Sequence, residues 1–406
     1  MVGAVVAQGT QALGGLVLSV AAARLLGAAG LAVFALVYGI IVLATAVSSG
    51  LVGDSFVVLD RSDPAVRSGL VWWSVGVTGV AGAIALPAAW LGGLPTTAVL
   101  ACAAATSAFM LQDLARRALM AVRRFWALVV VDAIGIAVTL AVIAAGATRQ
   151  DASLALILAG LAVGQVVSVA VAVWFLRRSL RRWLPTRESD LRQVWHFGSW
   201  QAAGQAIRPT VLTIMRTLVV VVAGAAAYGP LEAARVYTAP LIVLITGVNS
   251  FMLPHYVGRR DRPVTENLRV ADRTVLGLAL ACLALGGVAL LLLPVGGPLV
   301  TGGGFEVPAL AVAGWSVYAA AGASLLPYAG LAAALREQRR LLLLRSLEVP
   351  GLLVVALVVL LLPDHADLVP FAMAVGPASV ALAVRQRILV RMAVDRPAGV
   401  PAPRDE

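Results

Sequence analysis

Residues 126–146 read WALVVVDAIGIAVTLAVIAAG, a stretch in which Asp132 is the only charged residue. A helix of about 20 apolar residues is long enough to cross the ~30 Å hydrocarbon core of a bilayer. Arg123 and Arg124 precede the stretch and Arg149 follows it, so arginines mark both of its ends. We therefore predict a transmembrane helix over 126–146.

The rest of the chain repeats this pattern. Hydrophobic residues make up 61% of the 406 positions and the mean hydropathy is +0.94, which is far more apolar than an ordinary soluble domain. The predicted spans are residues 2–23, 30–53, 68–91, 96–115, 126–146, 153–176, 197–224, 232–253, 273–295, 307–334, 346–363 and 367–386. We predict an all-α polytopic membrane protein with twelve transmembrane helices in two six-helix bundles around a central cavity.

The arginines orient these spans. All 31 basic residues are arginine, because lysine does not occur in the chain. Twenty-six of them fall in alternate loops and the tail; the others are Arg24, Arg149 and Arg235 in the opposite loops, and Arg208 and Arg216 within a span. Loops rich in basic residues stay in the cytoplasm, so we expect both termini there. The net charge of +11 then faces anionic membrane lipids, and we expect no nucleic-acid partner.

The composition also excludes several kinds of catalytic site. A phosphate-binding P-loop and a Schiff-base enzyme both need a lysine. Cys102 and Cys282 are isolated in apolar stretches and the three histidines are scattered, so we expect no metal site and no cofactor. D-x-D, H-E-x-x-H and G-x-S-x-G motifs are absent and the predicted outer loops are short. We therefore do not expect an enzyme.

The longest predicted inner loop, RRSLRRWLPTRESDLRQ at 177–193, divides the chain into two halves. We predict an N-terminal six-helix bundle over 1–176, a basic cytoplasmic linker over 177–193, a C-terminal six-helix bundle over 194–390 and a disordered cytoplasmic tail over 391–406. Two bundles of this kind are typical of secondary transporters.

The seventh span, WHFGSWQAAGQAIRPTVLTIMRTLVVVV from Trp195, departs most from an apolar helix. At about 100° per residue, Gln201, Gln205, Arg208 and Arg216 fall within an arc of about 80°. An arginine in hydrocarbon costs at least about 2.5 kcal/mol, so such residues usually face a cavity or a bundle interior. We predict a cationic cavity wall that binds an anionic head group. Two alternatives are a span that begins near residue 207, and a structural ion pair with an acid elsewhere in the chain.

The first span also carries polar residues. Gln8, Gln11 and Ser19 share one helix face, so we predict that Gln8 and Gln11 line the cavity. Arg24 ends the span on its outer side, either at the cavity mouth or at the membrane surface, and we include it among the predicted substrate-binding residues.

Three acidic residues are expected in structural ion pairs. Asp113 lies three and four residues before Arg116 and Arg117, on one helix face. We expect Asp132 to pair with Arg123 or Arg124, and Glu232 to form a surface pair with Arg235.

Four stretches carry a family resemblance: LLGAAGLAVFAL at 25–36, LQDLARRALMAVRRFWALVVVD at 111–132, YGPLEAARVYTAPLIVLITGVNSFMLP at 228–254 and ALREQRRLLLLRSLEVP at 334–350. They resemble a polysaccharide (O-antigen type) flippase of the multidrug/oligosaccharidyl-lipid/polysaccharide exporter (MOP) superfamily. The first is similar to the family's turn between helices one and two, with Ala32 in place of the usual second glycine. The second matches a Gln-Asp-x-x-Arg segment with a following aspartate, at Gln112, Asp113, Arg116 and Asp132.

The resemblance implies two six-helix lobes and a bacterial cytoplasmic (inner) membrane location. It implies alternating-access transport of a lipid-linked anionic oligosaccharide, carried on polyprenyl pyrophosphate, for cell-surface polysaccharide synthesis. An envelope polysaccharide polymerase or glycosyltransferases are the expected protein partners. The alternatives are a lipid II or multidrug exporter of the same superfamily, or a polyprenyl-dependent membrane glycosyltransferase or polymerase.

Overall fold

The structure is a computed structural model that describes residues 2–60, 63–149, 152–180, 189–241, 245, 252, 256, 258–259, 262–335 and 337–395. All regular secondary structure in these residues is helical. The chain divides into two compact units, Met1–Thr213 and Ile214–Glu406.

Unit 1 consists of long helices joined by short turns. They are listed here in chain order: α1 Val2–Ser48, a π-helix Ser49–Gly53, α2 Asp54–Val58, α3 Pro64–Leu91, α4 Thr96–Ala121, α5 Phe125–Ala147, α6 Leu154–Leu180 and the first part of α7 Leu191–Ala223. The division between the units falls inside α7, between Thr213 and Ile214.

Unit 2 contains the end of α7 and the remaining helices. These are α8 Ala225–Tyr237, α9 Val264–Thr301, α10 Ala309–Ala334, α11 Gln338–Arg345, a 3-10 helix Ser346–Glu348, α12 Val349–Leu361, a second 3-10 helix Pro363–Leu368, α13 Val369–Val384, a π-helix Arg385–Val390 and α14 Arg391–Asp395. Its largest core cluster includes Tyr256, Leu268, Leu331 and Val384.

Helix α1 contains two predicted spans joined by a break. Gly27 has φ 68° and ψ −170°, which is outside the helical region. A left-handed φ of this kind favours glycine, because glycine has no Cβ to clash with the backbone. The predicted turn between the first and second spans is therefore confirmed as a break at Gly27.

The described residues contain ten stretches long and apolar enough to cross a membrane. The first, Val6–Phe56, is 51 residues long, which is enough for the two predicted spans that meet at Gly27. The predicted span 232–253 lies partly outside the described residues. The prediction of an all-α, multi-pass membrane protein is confirmed, while the count of twelve stays a prediction.

The predicted inner linker, 177–193, is shorter in the structure. Helix α6 continues to Leu180 and α7 begins at Leu191, so both ends of the predicted linker are helical. Residues 181–188 lie outside the described residues. In the predicted tail, Arg391–Asp395 is helical, and the residues after Asp395 are not described.

Small residues bring α5 and α6 into close contact. A Cβ added at Gly164 would overlap Thr139 Oγ1, and one added at Gly135 would overlap Ser168 Oγ. Ser168 Oγ also donates a hydrogen bond to the Val131 carbonyl at 3.1 Å. Small residues and hydroxyl hydrogen bonds are the usual means by which membrane helices pack closely.

The first part of α7 packs on the π-helix Ser49–Gly53 without room for side chains. A Cβ added at Gly50 would overlap the Ala202 backbone, and one added at Gly198 would overlap the Leu51 carbonyl oxygen. A π-helix widens a helix locally and is often found near functional sites. The two glycines therefore let the backbones touch beside the cavity described below.

Gly198→Ala should separate α7 from the π-helix, because the new methyl group meets backbone atoms that cannot move aside. We expect a loss of about 1–3 kcal/mol in unfolding free energy, measured by thermal or denaturant unfolding in detergent. Gly79→Ala in α3 is the matched control, since no atom lies within 4 Å of its added Cβ. Equal stability of the two variants would contradict the packing described here.

Candidate functional site

A cavity of about 500 Å³ lies inside unit 1, between both halves of α1 and helices α4, α5 and α6. Its polar lining includes four glutamines, Gln8, Gln11, Gln112 and Gln165. Apolar residues such as Ile136 complete the wall. The volume lies within the range of about 300–1,000 Å³ that small-molecule sites occupy.

The positions of the lining residues place the cavity along the helices. On α4 they run from Phe109 to Met120, close to the end of that helix, and on α1 they begin at Gln8. The cavity therefore lies in the half of unit 1 that holds the start of α1 and the α4–α5 turn. The arginine distribution predicts that this half is the cytoplasmic one.

The first charged group in the lining is a buried ion pair between α4 and α5. Arg116 Nη1 donates to Asp132 Oδ2, and the two side chains are 1% and 4% exposed. Gln112 Nε2 donates to the other carboxylate oxygen, Asp132 Oδ1, at 2.9 Å. Both oxygens of Asp132 are thus used, and the charge of Arg116 is neutralised.

A second group joins α4 to the π-helix. Arg117 Nε donates to Asp113 Oδ2 at 3.0 Å, and Ser49 Oγ donates to the same oxygen at 2.8 Å. Arg117 Nη1 also lies 3.6 Å from Asp54 Oδ1. Gln205 Nε2 on α7 donates to Asp54 Oδ2 at 2.6 Å. This network ties three helices together at one edge of the cavity.

The charges in the lining cancel. Arg116 pairs with Asp132 and Arg117 pairs with Asp113, so the four charged lining residues sum to zero. The oxygen Gln165 Oε1 is buried and accepts no hydrogen bond within the described residues. The cavity therefore suits a ligand that offers hydrogen-bond donors and carries no net charge.

An aromatic pair forms part of the same wall. Tyr38 and Phe109 both line the cavity, and their rings meet edge to face with centroids 6.1 Å apart. Flat aromatic surfaces provide apolar contact at low entropic cost. The cavity thus has amide groups and an aromatic face. Among the described residues, no group of three or more His, Cys, Asp or Glu side chains could hold a metal ion.

The predicted glutamines lie in two places within unit 1. Gln8 and Gln11 line the cavity. Gln205 bonds to Asp54 in the adjoining network, and Gln201 is half-buried on the same helix.

The predicted arginines are separated from this cavity. Arg216 is buried in unit 2, where Nη2 lies 3.4 Å from Glu232 Oε1. This is the ion-pair arrangement that the sequence left open as an alternative. Arg24 and Arg208 have exposed side chains. A central cavity between two bundles, and substrate binding by these arginines, stay predictions.

Two predicted ion pairs were wrong. Asp132 bonds to Arg116 and Gln112, because α4 and α5 pack side by side and bring these groups together. Glu232 was expected on the surface, but its side chain is 3% exposed. It bonds to both Arg216 and Arg235, since the turn between α7 and α8 folds one helix against the other.

Sequence reasoning missed Arg116, Arg117 and Gln165 as lining residues. The usable signal was the run Gln112, Asp113, Arg116 and Arg117, which places four polar residues on one face of an otherwise apolar helix. That face was assigned to the membrane surface, whereas it lines the cavity.

Comparison with known proteins shows the fold. No protein-family model and no curated protein matches the sequence significantly. A solved inward-facing multidrug resistance MATE family transporter of the MOP superfamily is similar, with TM-score 0.69, 16% identity and coverage of 95% of each chain. A MOP superfamily transporter from Pyrococcus furiosus, described as having a binding pocket of reversed polarity that suggests a different function, has TM-score 0.63 and 16% identity over 97% and 94%. A eukaryotic MATE transporter has TM-score 0.55 and 11% identity over 97% and 96%.

Asp132→Ala should destabilise unit 1 strongly, because it leaves the Arg116 charge buried without its carboxylate. Breaking a buried pair on one side typically costs about 3–5 kcal/mol, measurable by denaturant unfolding in detergent. The double variant Arg116→Leu/Asp132→Leu removes both charges and should recover most of that loss. Additive losses in the double variant would contradict a direct pair.

Proposed function

We propose that this chain is a flippase that carries a polyprenyl-pyrophosphate-linked oligosaccharide across the bacterial cytoplasmic membrane by alternating access, for cell-surface polysaccharide synthesis. The fold that it shares with MOP superfamily transporters supports this proposal. Its expected protein partners are an envelope polysaccharide polymerase or glycosyltransferases, and both termini are expected in the cytoplasm.

The observation that carries the proposal is the charge-balanced cavity of unit 1. A sugar presents many hydroxyl groups, and burying a hydroxyl without a hydrogen bond costs about 1–3 kcal/mol in proteins. Amide side chains such as Gln8 and Gln11 both donate and accept, so they can replace the lost water. The aromatic wall at Phe109 can cover the apolar face of a sugar ring.

The ion pairs of the cavity favour a saccharide over an organic cation. An exporter of organic cations needs a carboxylate that the drug can neutralise. Asp113 and Asp132 already accept hydrogen bonds from Arg117 and Arg116. A cation would have to displace an arginine, whereas an uncharged sugar leaves both pairs intact.

A multidrug exporter is the second candidate. Solved structures with this fold include multidrug resistance transporters. The cavity also has an apolar side, formed by residues such as Phe109, Ile136 and Leu140, that could hold a drug-sized molecule.

The variant Gln8→Leu/Gln11→Leu should slow flipping about tenfold, because two hydrogen-bonding groups of the cavity are lost. The assay uses proteoliposomes loaded with a fluorescent polyprenyl-pyrophosphate-linked oligosaccharide, and it reports the rate at which label reaches the outer leaflet. Gln193→Leu, at an exposed position near the start of α7, is the matched control and should flip at the wild-type rate.

The outcomes of this assay separate the two candidates. Flipping by wild type and by the double variant at one rate would remove the cavity from the transport path. No flipping by wild type, together with efflux of an organic cation such as ethidium from the same vesicles, would favour the multidrug exporter.

Arg208→Ala should also slow flipping, if the exposed guanidinium on α7 meets the pyrophosphate as the sequence predicts. Arginine suits this role because it is permanently charged and binds two phosphate oxygens at once. We expect a reduction of about tenfold or more in the same proteoliposome assay. Arg262→Ala, whose arginine makes an exposed pair with Glu266, is the control, and equal rates for the two variants would contradict the prediction.

A further inference from the structure

A cluster of four polar side chains lies inside unit 2, where α7 meets α8. Gly224 has φ 91° and separates the two helices, so the chain folds back on itself there. Glu232 lies at the centre of the cluster. Its Oε1 accepts from Arg235 Nε at 3.0 Å and Nη2 at 2.5 Å, and Arg216 Nη2 lies 3.4 Å away. Its Oε2 accepts from the Tyr228 hydroxyl at 2.6 Å.

The charges of this cluster do not balance. Two guanidinium groups share one carboxylate, so the cluster carries a net charge of +1. The Arg216 and Glu232 side chains are 6% and 3% exposed, and Tyr228 is fully buried. A buried charge without a counter-charge is costly, particularly between membrane helices. The ion pair of Arg385 with Asp272 in the same unit contrasts with it, since one arginine there meets one carboxylate.

The carboxylate cannot serve both arginines fully. Tyr228 occupies Glu232 Oε2, so Arg216 and Arg235 both use Oε1. In the described part of the chain, Arg216 makes one further hydrogen bond, from Nε to the Tyr228 oxygen at 3.3 Å, and Arg235 makes none. Each guanidinium has five N–H groups, so several donors remain for a ligand.

Access to these donors is through Arg235, whose side chain is 21% exposed. Trp315 fixes the neighbouring wall, because its Nε1 donates to the Leu231 carbonyl at 2.9 Å. The Trp315 ring also packs edge to face on Tyr318. The cluster is thus a rigid, positively charged recess with one accessible arginine.

We propose that this cluster is a binding site for a phosphate-type oxyanion. A phosphate group supplies the missing negative charge and the acceptor oxygens, and the planar guanidinium fork matches its geometry. The phosphate can belong to a membrane lipid or to a soluble phosphate compound. The inference goes beyond the proposed transport function, because the site lies in unit 2 and requires no movement of the ligand across the membrane.

The test is calorimetric titration of the full chain, in a neutral detergent at low salt, with inorganic pyrophosphate. Saturable binding is expected for wild type. Arg235→Gln should weaken it at least tenfold, and Arg235→Lys should restore part of the affinity because it keeps the charge without the fork. Arg385→Gln removes an arginine from a balanced pair and is the matched control, with affinity equal to that of wild type. A purely structural Arg–Glu–Arg cluster would change stability in these variants without any anion affinity to lose.

A second arm identifies the source of the phosphate. Dihexanoyl phosphatidylglycerol presents a lipid-borne phosphate with net charge, and dihexanoyl phosphatidylcholine is its zwitterionic control. Binding of the glycerol lipid with the same dependence on Arg235 assigns the site to membrane lipid, and binding of pyrophosphate alone assigns it to a soluble compound. The proposal is overturned if wild type binds neither anion, or if Arg235→Gln binds them as tightly as wild type. Either result leaves the flipping assay unaffected, so failure here is distinct from failure of the proposed function.

Discussion

Arg116 and Asp132 meet between α4 and α5 in side chains that are almost entirely buried. Neither charge is stable alone in such a place, because hydrocarbon and packed side chains solvate ions poorly. Their pairing requires α4 and α5 to hold one register. Gln112 uses the remaining carboxylate oxygen, and the neighbouring Arg117 repeats the arrangement with Asp113. The walls of the unit 1 cavity are therefore polar without carrying a net charge.

The same requirement explains how the polar residues of α7 are distributed. Gln205 finds an acceptor on Asp54 in unit 1, and Arg216 finds one on Glu232 in unit 2. The two partners belong to different compact units, and the division between those units lies between the two positions. A stripe that is continuous on a helical wheel thus serves two separate networks. Periodicity shows which residues share a helix face, and it does not show what each of them contacts.

This difference marks the limit of prediction from the sequence. Long apolar stretches bounded by arginines were sufficient to predict the helical membrane fold, since length and hydropathy alone decide whether a segment can span a bilayer. Gln8 and Gln11 were also predicted, because polar residues on one face of an apolar helix need a polar neighbour. The partner of Asp132 was not predictable in this way. The choice between Arg116 and Arg123 or Arg124 depends on the packing of α4 against α5, which has no local signal.

Charge balance also decides what each network can attract. In unit 1, each lining arginine has an aspartate, so an incoming ion gains little and an uncharged hydrogen-bonding group gains most. In unit 2, Arg216 and Arg235 share Glu232, so the favourable ligand is an anion. Removing a charge therefore has opposite meanings at the two sites. Losing Asp132 creates an excess charge that the fold must absorb, whereas losing Arg235 removes an excess charge that the fold already carries, and only the second change can leave the protein stable while abolishing recognition of a ligand.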